Sequence, residues 1–145
     1  MIRVLRAVLE ALQTRKQRPP RSDLIIQNAF SQHLLDVARL SCEYFDEPPP
    51  TIDTTYIATL PRHNKHVGFM TIATHGTTVH IKRLGAHPQH FQEVCHTLLA
   101  CIASATKIGF HVERSWPIYD RLVEFLVSEG FRHTGETSVY VYYER

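Results

Sequence analysis

The ten histidines and three cysteines of this 145-residue chain are its best candidates for chemistry, because they move protons near neutral pH or ligate metals. Two pairs have the spacing of metal ligands, His63-Asn64-Lys65-His66 and His87-Pro88-Gln89-His90, and His96 follows nearby. A structural zinc site adds cysteines or acids at a defined distance. Both pairs fall on expected turns with no matching second pair. Cys95 and His96 are neighbours in a helical pattern, so their side chains diverge by ~100°. No metal is therefore expected. Cys42, Cys95 and Cys101 are an odd number without CxxC spacing, and two lie in a helix expected to be buried. That favours inert thiols and a reducing, cytoplasmic setting. No P-loop, GxSxG, HExxH or dinucleotide fingerprint is present.

These side chains need elements to hold them. Leu24–Ala29 reads as a short strand, and a helix follows from a Ser31 cap to about Phe45, with Phe30 and Leu35 placed as a hydrophobic staple. The run EPPPT at 47–51 ends it. Strands are expected over 54–60, 66–74 and 77–86, the last two joined by a tight turn at His75-Gly76. A long helix is expected over 90–108, with Phe91, Val94, Cys95, Leu98 and Ile102 on one face and Gly109 at its end. Phe110–Glu113 is a strand. Ser115 and Pro117 suit the start of a further helix, whose Ile118, Leu122, Phe125 and Leu126 share a face. Gly130 stands where a left-handed C′ residue is wanted, and a terminal strand or hairpin follows.

The order is β-α-β-β-β-α-β-α-β. A β-α-β crossover makes two strands parallel, so the sheet is mixed. The composition, 43% hydrophobic and 21% charged, fits one globular domain with a real core. Net charge is +2, too small to imply a nucleic-acid partner. Residues 1–21 hold six basic residues against Glu10, and the remainder carries a net −3. In that segment Ile2, Leu5, Val8, Leu9 and Leu12 share one helical face. The expected division is an amphipathic helix and basic linker over 1–21 and a domain over 22–145. The helix packs on the domain or on a second copy, which allows a homodimer. The alternatives are a transit peptide, an arm on an anionic membrane surface, or a nucleic-acid contact.

The helix running into Glu129-Gly130-Phe131 and a final strand resembles the C-terminal end of the GNAT superfamily of N-acetyltransferases. The element order from Leu24 to Tyr143 is also similar. The resemblance implies an α/β (α+β) fold: a mixed, mostly antiparallel sheet flanked by helices, with an extra N-terminal helix here. It implies acetyl or other acyl transfer from acyl-CoA to an amine by direct attack. The alternative is a diverged, non-catalytic module of the same fold that binds a protein, nucleic-acid or small-molecule partner.

In that family the cosubstrate sits in a wedge between two splayed strands, with its pyrophosphate at a helix N-terminus, where free N–H groups and the dipole favour anions. Carried onto this chain, Leu84, Gly85 and Ala86 would hold the pantetheine. Phe91, Gln92, Glu93, Val94, Cys95 and His96 would lie at the phosphates. The lead-in Leu84-Gly85-Ala86-His87-Pro88 is kept, but no glycine lies between Pro88 and Leu99. Side chains at Gln92 and Val94 crowd a site that needs bare backbone, and Glu93 repels a diphosphate. The family's acid, a tyrosine four residues before the glycine, is replaced by Leu126. Tyr119 lies two turns earlier. His80 stands where some members carry a basic glutamate, and an imidazole there can take a proton from an ammonium. His80 and Tyr119 are thus the candidate catalytic residues.

Overall fold

The computed structural model describes residues 23–29, 31–48 and 54–145. The expected N-terminal helix and the Phe30 half of the staple lie outside them. Among the described residues, seven strands form one sheet: β1 (Ile25–Asn28), β2 (Thr54–Leu60), β3 (Lys65–His75), β4 (Thr78–Ala86), β5 (Lys107–Glu113), β6 (Arg132–Glu136) and β7 (Tyr140–Glu144). Their spatial order is β1-β2-β3-β4-β5-β7-β6. Only the β4–β5 pair is parallel. The described residues also form three helices: α1 (Leu34–Phe45), α2 (Phe91–Ala100) and α3 (Tyr119–Ser128).

Most expected elements are present, with four corrections. Leu35 is 86% exposed, so it makes no staple. Helix α1 begins only after a 3-10 turn over Ser31–His33. The long helix ends at Ala100, not at 108, and β5 already starts at Lys107. Ile108, Phe110 and Val112 are buried in alternation with their neighbours, the period of a half-buried strand. Thr106 fastens the start of β5 to Thr77 through backbone and side chain. Ser115 does not cap α3. Its hydroxyl donates to the Glu113 carboxylate, and a turn through Trp116 intervenes before Tyr119. Gly130 does end α3, at φ 89°, and the Phe131 N–H donates to the Leu126 carbonyl.

The pleat sorts side chains between two faces. Gly68 faces α2, since a β-carbon there would lie 2.7 Å from Val94 Cγ1. Met70 and Ile72 share that face, and Ile72 pairs with Ile81. Helix α3 joins α2 there through Phe91 and Phe125. His80 therefore projects from the opposite face, where α1 packs and Tyr44 donates to the Val67 carbonyl. The same β-carbon at Gly68 would meet the Gly85 carbonyl at 2.8 Å, and backbone cannot yield as a side chain can. Gly68→Ala should therefore cost roughly 1–3 kcal/mol. Chemical denaturation checks this, and an unchanged midpoint would contradict the close approach of α2.

Candidate functional site

Strands β4 and β5 pair only over Thr78–Ile81 and Lys107–Phe110. Beyond that point they part. Strand β4 runs on to Ala86, while β5 runs on to Glu113 beside β7. A bulge marks the fork: Thr71 pairs with Arg83 and Ile72 with Ile81, leaving Lys82 as the extra residue. The result is a sheet split along its middle, opening toward the C-terminal ends of two parallel strands, where open α/β sheets place ligands.

Two histidines flank the fork on the α1 face. His80 is half-buried and His111 exposed. Their ring centroids are 4.6 Å apart and nearly perpendicular, and Tyr142 stacks on His111 at 4.3 Å. His80 pairs across the strands with Gly109, where a β-carbon would approach Nδ1 to 3.5 Å. The glycine read as a helix cap instead makes room for this ring. Burial pulls the His80 pKa below its ordinary value, and the His111, Lys82 and His75 charges add to the effect. Thr78, Lys107 and Glu144 line the shallow pocket beside the rings, about 280 Å³.

The split itself is occupied. Trp116 is 5% exposed, and its indole packs on Phe45 at 4.7 Å and on Phe110 of β5 at 6.1 Å. The buried Arg83 guanidinium of β4 lies over both the Phe45 and Trp116 rings. It donates to Ser41 Oγ at 2.7 Å and to Glu47 Oε1 at 2.6 Å. A methyl group at Gly85 would meet Tyr44 at 3.0 Å, Phe45 at 3.1 Å and Ile118 at 3.3 Å. Leu84, Gly85 and Ala86 are all buried.

A groove of about 530 Å³ opens at the wide end of the split, between the end of α1 and the start of α3. A second, of about 350 Å³, runs along the start of α2. The two share Pro88, Arg121 and Glu124. Phe91, Gln92 and Glu93 line the second. Val94 and Cys95 instead point into the core, and burial pushes the Cys95 thiol well up. His96 leaves the groove for α3, where Nδ1 lies 2.7 Å from Glu129 Oε1. Tyr119 opens α3 near Tyr143: burial and the nearby Tyr119 raise the Tyr143 pKa. Sequence reading thus named His80 but missed His111, Tyr142 and Trp116. Among the described residues, no three His, Cys, Asp or Glu side chains gather as metal ligands. No described helix is long and apolar enough to cross a membrane.

No protein-family model matches this chain, and no curated protein matches it by sequence. Solved structures do match it in shape. Arabidopsis thaliana Naa50, in complex with a bisubstrate analogue, superposes with TM-score 0.67 at 14% identity, over 85% of this chain and 98% of that one. An acetyltransferase of the GNAT family from Staphylococcus aureus gives 0.65 at 12%, over 84% and 98%. This is the GNAT fold. The PaiA N-acetyltransferase of Thermoplasma acidophilum, in complex with coenzyme A, gives 0.65 at 14%, over 84% and 98%.

The GNAT fold implies coenzyme A, so the start of α2 must be tested as a diphosphate site. Pro88 has no N–H to offer. The Gln89 N–H donates to His87 Nδ1 at 3.2 Å, and the His90 N–H to the His87 carbonyl at 2.9 Å. Glu93 and Glu124 line the groove with Arg121. The turn over Pro88–His90 thus has no backbone N–H left for a diphosphate.

Proposed function

We propose that this chain transfers an acyl group from a thioester to an amine, with the amine bound on the α1 face beside His80 and His111. The parting of β4 and β5 at the fork, with His80 among the last paired residues of β4 and His111 just beyond the pairing on β5, carries this reading. An ammonium must lose a proton before its nitrogen can attack. His80 is the group placed to take that proton: burial keeps it neutral at physiological pH. His111 braces the ring edge-on, and Tyr142 in turn stacks on His111. Removing the proton at a fixed position, beside a held acyl carbon, is the kind of orientation that accelerates a bimolecular step.

A second reading is a GNAT-fold module that binds a partner without acyl transfer. The indole of Trp116 and the close packing over Gly85 favour it, because they fill the place an acyl arm would take.

Trp116 is the only tryptophan in the chain, so it reports on the split directly. Titration with an acyl thioester should change its emission and raise the melting temperature, since a ligand that binds only the native state stabilises it. Acylation of an amine panel should accompany this. Unchanged emission and melting across several acyl thioesters would overturn the first reading in favour of the second.

A further inference from the structure

We infer that the acceptor is an amine carrying an aromatic ring, seated on a row of rings that runs across the open half of the sheet from His80 to Tyr142 and Tyr140. This rests on the acyl-transfer reading. Topology, ring geometry and charge each support it.

The topology puts the rings on one face. His111 stands directly opposite Tyr142 across β5 and β7, and Glu113, two residues on, stands opposite Tyr140. Side chains opposite each other share a face, and so do those two apart along a strand. Helix α1 crosses this face over β3 and β4, where Tyr44 reaches the Val67 carbonyl and Ser41 meets Arg83. Toward β7 the face is open: His111 is exposed, and so is Tyr140, at 38%.

The rings lean over neighbouring strands. A β-carbon on Gly135 of β6, opposite Tyr142, would come within 3.3 Å of that ring's Cδ2, and one on Gly109 within 3.5 Å of His80 Nδ1. Each glycine leaves its place to the ring beside it. The row steps 4.6 Å from His80 to His111, then 4.3 Å to Tyr142, and Tyr140 lies 6.4 Å from His111. Aromatic pairs attract at such spacings, so a further planar ring extends the row by the same offset or edge-on contacts. An aliphatic chain buries area there and gains no such contact. Charge agrees. Glu144 lines the same pocket with its carboxylate 3.2 Å from Lys107 Nζ. A second ammonium on the acceptor would compete for that pair, whereas a neutral ring does not.

Calorimetric binding of 2-phenylethylamine and 2-cyclohexylethylamine to the full chain, without a donor, tests this, since the two differ in aromaticity at nearly equal size. The phenyl compound should bind about three- to tenfold more tightly, the worth of one or two ring contacts. Tyr142→Leu should remove this preference, and Tyr142→Phe should keep it. A Tyr142 that merely held the strands together would move both amines alike. In turnover with acetyl-CoA, the loss in Tyr142→Leu should fall on KM. The peptide Phe-Ala-Ala separates two sources of such an amine: tighter binding than 2-phenylethylamine assigns a polypeptide N-terminus, and weaker binding a free arylalkylamine. Equal affinities in the parent, no binding of either amine, or a preference that survives both Tyr142→Leu and Tyr140→Leu would overturn the inference. Acylation of both amines at equal KM would overturn it and leave acyl transfer standing. If the preference holds but neither amine is acylated from any acyl thioester, the acyl-transfer reading falls, and the acceptor role with it.

Discussion

His80→Gln should lower kcat/KM for amine acylation by roughly 10²–10⁴-fold and abolish the acid limb of the pH profile. His80 is held at the fork by Gly109 behind it and His111 beside it. Its pKa lies below the ordinary 6.5, chiefly through burial. The rate should therefore rise with pH through a midpoint below that value, where the imidazole becomes neutral. His111, Lys82, His75, Lys107, Tyr142 and Glu144 are the charged and titratable groups around it. His111→Gln removes the brace and a cationic neighbour but not the base. It should shift that midpoint upward and lower the rate less. Tyr119→Phe should change little, because Tyr119 sits on the α3 side of the sheet. Full activity in His80→Gln with loss in Tyr119→Phe would reverse the assignment.

The same shift has a consequence for stability. A histidine whose folded pKa is depressed binds fewer protons folded than unfolded between that pKa and 6.5. Stability is therefore lost as pH falls through this window, and the loss levels off below the folded pKa. His80→Gln should flatten this part of the pH–stability curve.

The periodicity of apolar residues made much of this legible in advance. Strand β2 falls at Thr54–Leu60 as read, and Gly130 ends α3 with a positive φ because only a residue without a β-carbon turns there at no cost. The error at β5 hid half of the site. With Gly109 read as a helix end, the expected strand starts only at Phe110, so the pairing of Gly109 with His80, which sets His111 beside that ring, is lost. The alternation of Ile108, Phe110 and Val112 was present in the sequence and outweighs a lone glycine. Other features were not legible. The contact of Arg83 with Glu47 joins residues 36 apart in sequence and exists only because α1 lies across the sheet. The cap that His87 places on Gln89 depends on one imidazole rotamer, and no spacing encodes it.

Arg83→Ala should be the most destabilising single change at the site, at about 2–4 kcal/mol. The guanidinium is nearly buried, and it ties β4 to the end of α1 through Ser41 and to the chain beyond through Glu47 Oε1 and the carbonyls of Glu47 and Pro48. Breaking a buried pair by removing one partner costs about 3–5 kcal/mol, because the other charge is left without compensation. The Glu47 side chain keeps 41% of its surface in water, which screens the pair and places the expectation at the lower end. Deleting the side chain also takes the stacking partner from the Phe45 and Trp116 rings. Arg83→Met separates the two contributions, since it fills the space and removes only the charge and the hydrogen bonds. It should recover part of the loss. Trp116 shares the Glu47 carboxylate through its Nε1–H at 3.4 Å, so its emission should move to longer wavelength in the alanine variant as water reaches the split. If Arg83→Ala melts with the parent and leaves Trp116 unchanged, the packing of Phe45, Ile118 and Phe110 alone holds the split closed, and a donor must displace those side chains to enter.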